Sequence, residues 1–309
     1  MVAAVVTTLA FFLIQLAPGD PFTAVLDNPG VDPTLRDRLR TQFGLDQPIA
    51  VQYARYLANV ARGDLGHSFA RAQPVATVIA QALPNTLLLM GTALVLSFAL
   101  GVALGVVQAA RPGSLLDRAS RGLSLAFFSV PDFWLAALLL IVLAGWLGWF
   151  PAGGREDIFA ASYGPWARLA DRLHHLALPA LTLVLLTTAA VSRFQRAALL
   201  DTLSEDYVRT AVAKGLPRRS VVLRHALRNA LLPVVTLLGL ALPALLGGAV
   251  FVERVFAWPG MGSLLVGAVM ERDYFLLTGC VLVGSLTVVA GSLLADLLTL
   301  VADPRLRRS

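Results

Sequence analysis

Residues 205–233 read EDYVRTAVAKGLPRRSVVLRHALRNALLP, a basic helix–turn–helix wedged between two long apolar runs. Glu205 and Asp206 occupy the first turn, where carboxylates suit the helix dipole, and Ser204 is the candidate cap. The helix is expected to run through Tyr207, Val208, Thr210, Ala211 and Ala213 until Gly215-Leu216-Pro217 breaks it. A second helix starts at Arg218-Arg219 and runs through His225 towards Asn229. A polar double helix of this length adds nothing structural between two membrane spans. A docking surface for a cytoplasmic partner accounts for it, its arginines suiting a partner's carboxylates or anionic lipid headgroups. The other reading is an amphipathic helix lying on the bilayer. The break at Gly215 favours a shaped knob.

The runs on either side set the class. The chain of 309 residues is 57% hydrophobic and 14% charged, with a mean hydropathy of +0.73, which places it among integral membrane proteins. Stretches of spanning length that are nearly free of charge recur at Val2–Leu16, Thr86–Val107, Leu123–Leu147, Leu176–Ser192, Leu231–Val252 and Leu276–Leu300. The expected fold is therefore all-α and integral to the membrane, with six transmembrane helices. The first stretch is not a signal peptide, because it lacks a basic leader and Pro18-Gly19-Asp20-Pro21 replaces a small-residue cleavage site. The expected organisation is a first transmembrane helix over 1–16 and an extracytoplasmic subdomain over 17–83. A core of five helices over 84–303 follows, with the loop 193–230 inside it, and then a tail over 304–309.

Charge orients the spans. The loops 108–122 and 193–230 and the tail 301–309 hold 14 of the 25 Lys and Arg, and with their acids counted they carry +9 against −1 on the opposite side. By the positive-inside rule both termini are cytoplasmic. The high isoelectric point is then a topology signal, and nucleic acid is not an expected partner.

Several other features bear on function. In the outer segment, Asp32-Pro33 is a helix start, with Leu35, Leu39 and Phe43 on one face and Gly44 as a stop. A second helix is expected over Ile49–Ala61. This cap either contacts a delivered ligand or soluble partner, or only packs on its neighbours. Trp146, Trp149 and Trp166 suit the bilayer interface. His174-His175 has no neighbouring ligand that would make a metal site, and Cys280, the single cysteine, reads as a small buried hydrophobe. Lys214 is the only lysine and no Gly-x-x-x-x-Gly run precedes it, so the chain has no P-loop. Nor is there a GxSxG, HExxH or paired-carboxylate motif: no catalytic residue, cofactor or metal is expected. Charges inside spans are costly and often mark a pathway. Pro131, Asp132 and Phe133 in the third span are the candidates: Asp132 either lines a polar path or hydrogen-bonds a kink at Pro131. Asp296 reads as structural, near the inner interface. Pro179, Pro233 and Pro243 suggest kinks.

Arg209-Thr210-Ala211-Val212-Ala213-Lys214-Gly215 resembles the "EAA" loop of binding-protein-dependent ABC importer permeases, in the version of the dipeptide/oligopeptide/nickel branch. Further strings are similar in order and spacing to the "B" permease of peptide importers: Pro18-Gly19-Asp20-Pro21, Gly44-Leu45-Asp46, Gly63-Asp64-Leu65-Gly66-His67-Ser68, Val130-Pro131-Asp132-Phe133-Trp134, Phe256-Ala257-Trp258-Pro259-Gly260 and Asp303-Pro304-Arg305. Together they cover nearly the whole chain. Arg209 stands where the general pattern has Glu, and His225-Ala226-Leu227-Arg228 replaces its I-x-L-P ending; both departures fit the peptide branch.

The resemblance implies the type I ABC importer (MetI-like) transmembrane fold in a bacterial inner membrane. It implies pairing with a second homologous permease, two cytoplasmic P-loop ATPase subunits and an extracytoplasmic substrate-binding protein. Coupling to the ATPases would fall to Glu205, Tyr207, Arg209, Thr210, Ala211, Lys214 and Gly215 within the loop 205–229. The implied cargo is a di- or oligopeptide, with nickel or a metal chelate as the alternative. An ion-coupled secondary transporter using Asp132 is the competing class.

Overall fold

The computed structural model describes residues 5–9, 11–12, 46–246 and 249–302. In chain order the elements are α1 (Ile49–Ala61), a two-residue antiparallel ladder β1 (His67–Ser68) and β2 (Gln73–Pro74), α2 (Val75–Ala110), α3 (Leu115–Ser129) and α4 (Asp132–Leu139), which π-helical turns extend to Trp146. Then come α5 (Pro165–Leu203), α6 (Asp206–Ala213), α7 (Arg218–Ala230), α8 (Leu232–Leu246), α9 (Val250–Val255), α10 (Met261–Met270) and α11 (Tyr274–Ala302). The middle of α7, Val221–Ala226, is also π-helical. The chain is mostly helical as expected, and the ladder is the only sheet among the described residues.

Three helices are long and apolar enough to cross a membrane: α2, α5 and Tyr274–Leu300 of α11. Two bent pairs raise the number to five if each counts as one span. Three to five of the six expected spans are thus found among the described residues, the first expected stretch lying largely outside them, and the found ones differ from expectation in three ways. The stretch Leu123–Leu147 is not one helix but α3 and α4 bent by 106°. Pro131 disfavours α-geometry at the residue before it, and Val130 sits in the extended region at φ −89°, ψ 132°. The stretch Leu231–Val252 is likewise divided: α8 ends at Leu246, α9 starts at Val250, and α8 leaves α7 at 45°. The third difference is length. α2 starts at Val75, not Thr86, and α5 covers Pro165–Leu203, well beyond Leu176–Ser192. At about 1.5 Å per residue α2 measures roughly 54 Å, far more than the hydrocarbon thickness. Pro179 lies inside α5 without ending it.

α1 has the expected bounds, and Cys280 is buried. The first stretch falls largely outside the described residues, of which 5–9 and 11–12 are helical; the helix start at Asp32-Pro33, Leu35, Leu39, Phe43, Gly44, the string 18–21 and the tail 303–309 lie outside them altogether.

α2 and α5 run parallel and form the axis of the fold. Leu89 meets Leu176 and Ala180, Thr188 Oγ1 donates to the Ser97 carbonyl at 3.4 Å, and Gly101 and Gly105 face Val191 and Gln195. A Cβ on Gly101 would lie 2.6 Å from Val191, so only a missing side chain lets the two backbones approach this closely. Where α2 and α5 end, Ala109 and Leu199 join a buried cluster with α6 and α7. Where α2 begins, Val75, Val78, Ile79 and Ala82 pack on α10 and α11 through Met261, Leu264, Ala268, Leu276 and Cys280.

Candidate functional site

The basic helix–turn–helix is built as two short helices clamped under the ends of α2 and α5. Val208 and Ala211, three residues apart on one face of α6, are 2% and 5% exposed and pack with Leu199, Val221, Val222 and Ala226. Glu205, Tyr207, Arg209, Thr210, Lys214 and Gly215 are all exposed, Arg209 and Thr210 on the side away from that buried pair. Six of the seven residues singled out from sequence are thus exposed on the knob, and Ala211 is buried beneath it. Ser204 does not cap α6. Its hydroxyl donates to the Asp201 carbonyl at 2.7 Å and closes α5, while Glu205, at φ −70°, ψ 149°, takes the cap position. Gly215 ends the helix in the left-handed region at φ +76°, where L side chains are disfavoured.

Three residues that sequence reasoning did not single out fix the knob: Val208, Arg218 and Asn229. Asn229 Nδ2 donates to the Tyr207 hydroxyl at 2.8 Å, and Arg218 Nη2 donates to the Ala110 carbonyl at 2.7 Å, covering an orphan acceptor at the end of α2. The Val208/Ala211 spacing was the available signal for the buried face; the other two depend on contacts far apart in sequence.

The second candidate group lies at the bend between α3 and α4. Pro131 occupies the cap position of α4, and Asp132 begins its first turn with Oδ1 accepting from the Phe133 N–H at 2.7 Å. The carboxylate therefore satisfies a helix end beside the bend. The half-exposed Phe133 ring lies 6.1 Å from that of Phe251 on α9, centroid to centroid.

Near the start of α2, a buried carboxylate holds a loop in place. Glu253 is fully buried on α9; Oε1 accepts from Thr86 Oγ1 at 2.7 Å and Oε2 from the Ser263 N–H at 2.9 Å. Thr86 Oγ1 in turn accepts from the Met261 N–H at 2.7 Å. The indole of Trp258, 1% exposed, donates to the Asn85 carbonyl at 3.0 Å, and Asn85 Nδ2 donates to the Pro259 carbonyl at 2.8 Å. Residues 256–263 are thereby latched to the third and fourth turns of α2. Phe256–Gly260 is legible in the sequence only as a string; Glu253 follows directly after an apolar run, and that position is its one available signal.

Comparison with known proteins bears on what these surfaces serve. Residues 101–308 match the family model of the binding-protein-dependent transport system inner membrane component, and residues 1–90 match that family's N-terminal membrane component. The chain belongs to this permease family. Among its relatives, the oligopeptide transport system permease protein AppB of Bacillus subtilis is 40% identical over 302 residues, covering 97% of this chain and 94% of AppB. A putative peptide permease protein of Brucella suis is 44% identical over 304 residues, at 97% and 93% coverage. The di/tripeptide transport system permease protein DppB of Pseudomonas aeruginosa is 38% identical over 315 residues, at 98% and 94%. The chain is thus a multi-pass inner-membrane transport permease and not an enzyme, in a family whose ATPase and binding-protein partners are separate subunits.

Two ionic clusters brace the ends of the permease. Asp117 is fully buried at the start of α3 and accepts from Arg196 Nε at 3.0 Å and from the Gly113 N–H at 2.8 Å, with Arg121 at 3.2 Å; this ties the turn after α2 to the end of α5. In the loop before α5, Glu156 pairs with Arg168 at 2.8 Å and Arg172 at 2.7 Å, and their hydrogen bonds bring its carboxyl down to about 2. His174 and His175 face different carbonyls, those of Trp149 at 2.8 Å and Asp171 at 2.9 Å.

Proposed function

We propose that this permease forms half of the transmembrane pathway of an ATP-driven importer for di- or oligopeptides. It pairs with a second, homologous permease. Two cytoplasmic P-loop ATPase subunits receive the knob 205–229, and an extracytoplasmic binding protein delivers the peptide. Both termini face the cytoplasm, as the distribution of arginine favours. The observation that carries the reading is the two-faced α6. A helix that buries Val208 and Ala211 under the ends of α2 and α5 while exposing Tyr207, Arg209, Thr210 and Lys214 passes a push on its outer face directly to the long helices. The cargo follows from relatives named as peptide permeases at 38–44% identity over nearly the whole chain. Asp132 and Phe133, beside the bend, are proposed to border the path.

The test is to tag the chain in its own host, extract it in mild detergent and identify what co-purifies, then measure uptake of labelled peptides. A second permease with P-loop ATPases, and ATP-dependent peptide uptake, is the expected result. A chain recovered alone under several gentle conditions, with uptake driven by an ion gradient, would overturn it.

A further inference from the structure

Beside the latched loop, at the end of the molecule where α2 begins, opens a cleft of about 630 Å³. Three arginines line it, from three separate segments: Arg71 in the turn of the hairpin, Arg155 in the loop before α5, and Arg254 on α9. Each is placed by its own contact. The Arg71 N–H donates to Ser68 Oγ at 3.1 Å, and Ser68 Oγ donates to the buried Asp273 at 2.5 Å. The Gly154 N–H donates to the Phe256 carbonyl at 2.9 Å, and a Cβ on Gly153 would lie 2.6 Å from that oxygen; this close approach sets Arg155 beside α9. Arg254 follows the anchored Glu253.

The charges in this cleft do not cancel. Glu253 is the only carboxylate in the lining, and its oxygens are already engaged by Thr86 and Ser263. Arg71 has Glu271 at 3.8 Å, an exposed pair of little strength. Arg155 and Arg254 have no ion pair among the described residues. Guanidinium forks match a carboxylate in two-point geometry, and several in one recess favour an anion strongly. Gln81 adds an exposed amide, and Val78 and Leu264 supply apolar wall of the kind that holds a side chain.

We propose that this cleft binds the C-terminal carboxylate of the incoming peptide, with Arg155 and Arg254 as the groups that hold it. The proposal rests on the peptide reading above. A recess with arginines over apolar wall suits a chain end that brings both a carboxylate and a side chain; a protein partner's acidic residues would meet charges on a rim.

The complete transporter, reconstituted in proteoliposomes, tests this. Its binding protein is saturated in turn with a peptide and with the same peptide amidated at its C-terminus, loading being checked on the binding protein alone, and uptake of both is measured. Replacing both arginines, R155Q with R254Q, is expected to lower the ratio of free-acid to amide uptake on the order of tenfold. R155K with R254K is expected to restore part of it. If the double variant no longer co-purifies with its partners, R155Q alone is read by the same ratio. An unchanged ratio overturns the proposal. So does an equal loss for both peptides with more binding protein needed for half-maximal uptake, which would assign the arginines to protein docking. Failure of the wild type to take up either peptide overturns the peptide reading itself, whereas wild-type uptake with an unmoved ratio overturns only the carboxylate site.

Discussion

Gly215 turns the chain with a left-handed residue in open space. A Cβ there would meet no atom within 4 Å, so any substitution acts through the backbone, at about 1–2 kcal/mol for an L side chain in that region. Gly215→Asp should therefore leave insertion and expression intact while uptake falls below about a tenth of wild type, because the turn no longer presents α6 and α7 at one angle. Normal uptake by that variant would remove the knob from the coupling mechanism. Gly260 is the opposite case. Its Cβ would collide with the Glu253 carboxylate and with Thr86 Oγ1, so Gly260→Ala must break the latch or move the loop. The expected loss is on the order of 1–3 kcal/mol, read as a lower thermal midpoint in detergent. Glu253→Gln should cost less by the same measurement, because the amide oxygen can accept from the Ser263 N–H while the amide N–H donates to the Thr86 hydroxyl.

Among the elements, legibility followed the physical signal each one carries. α1 and α6 were legible to within a residue or so because amphipathic spacing and a glycine–proline break mark them. α2 and α5 were found but cut short. Their outer turns carry Gln81, Asn85, Arg168, Asp171, Arg172, Gln195 and Arg196, which reads as loop to any search for charge-free runs although the helix continues. The third and fifth stretches looked continuous because hydropathy ignores geometry: Val130-Pro131 is as apolar as its surroundings and still bends the chain by 106°. Of the candidate site, the exposed face of the knob was legible; the Glu253 latch was not, because its partners on α2, Thr86 and Asn85, stand more than 160 residues away in sequence. The loop before α5 yields a pH prediction. Glu156 is held near 2 against an ordinary 4.5, so the stabilisation from its two arginines is complete above about pH 4.5 and fades as pH falls towards 2. Protease cleavage of this loop should rise over that window in the wild type. In Glu156→Gln it should be high at neutral pH and flat through the same range.

At the scale of the whole molecule, α2 touches the knob at its last turns and the latch and cleft at its first, so one rigid element joins both functional ends. The proposed orientation then has a direct test, helped by a single cysteine that is buried. K214C should react with an impermeant thiol reagent only from the cytoplasmic side of membrane vesicles, and I158C, at a residue 88% exposed, only from the other. The reverse pattern would invert the topology. The latch carries one more consequence. Of the five tryptophans, Trp134, Trp146, Trp149 and Trp166 are each at least half exposed, and Trp258 alone is sealed against α2. With those four replaced by phenylalanine, the protein would contain its own optical gauge. Its emission should be blue-shifted while the loop is seated on the helix and move to the red, turnover by turnover, if ATP opens that end of the molecule.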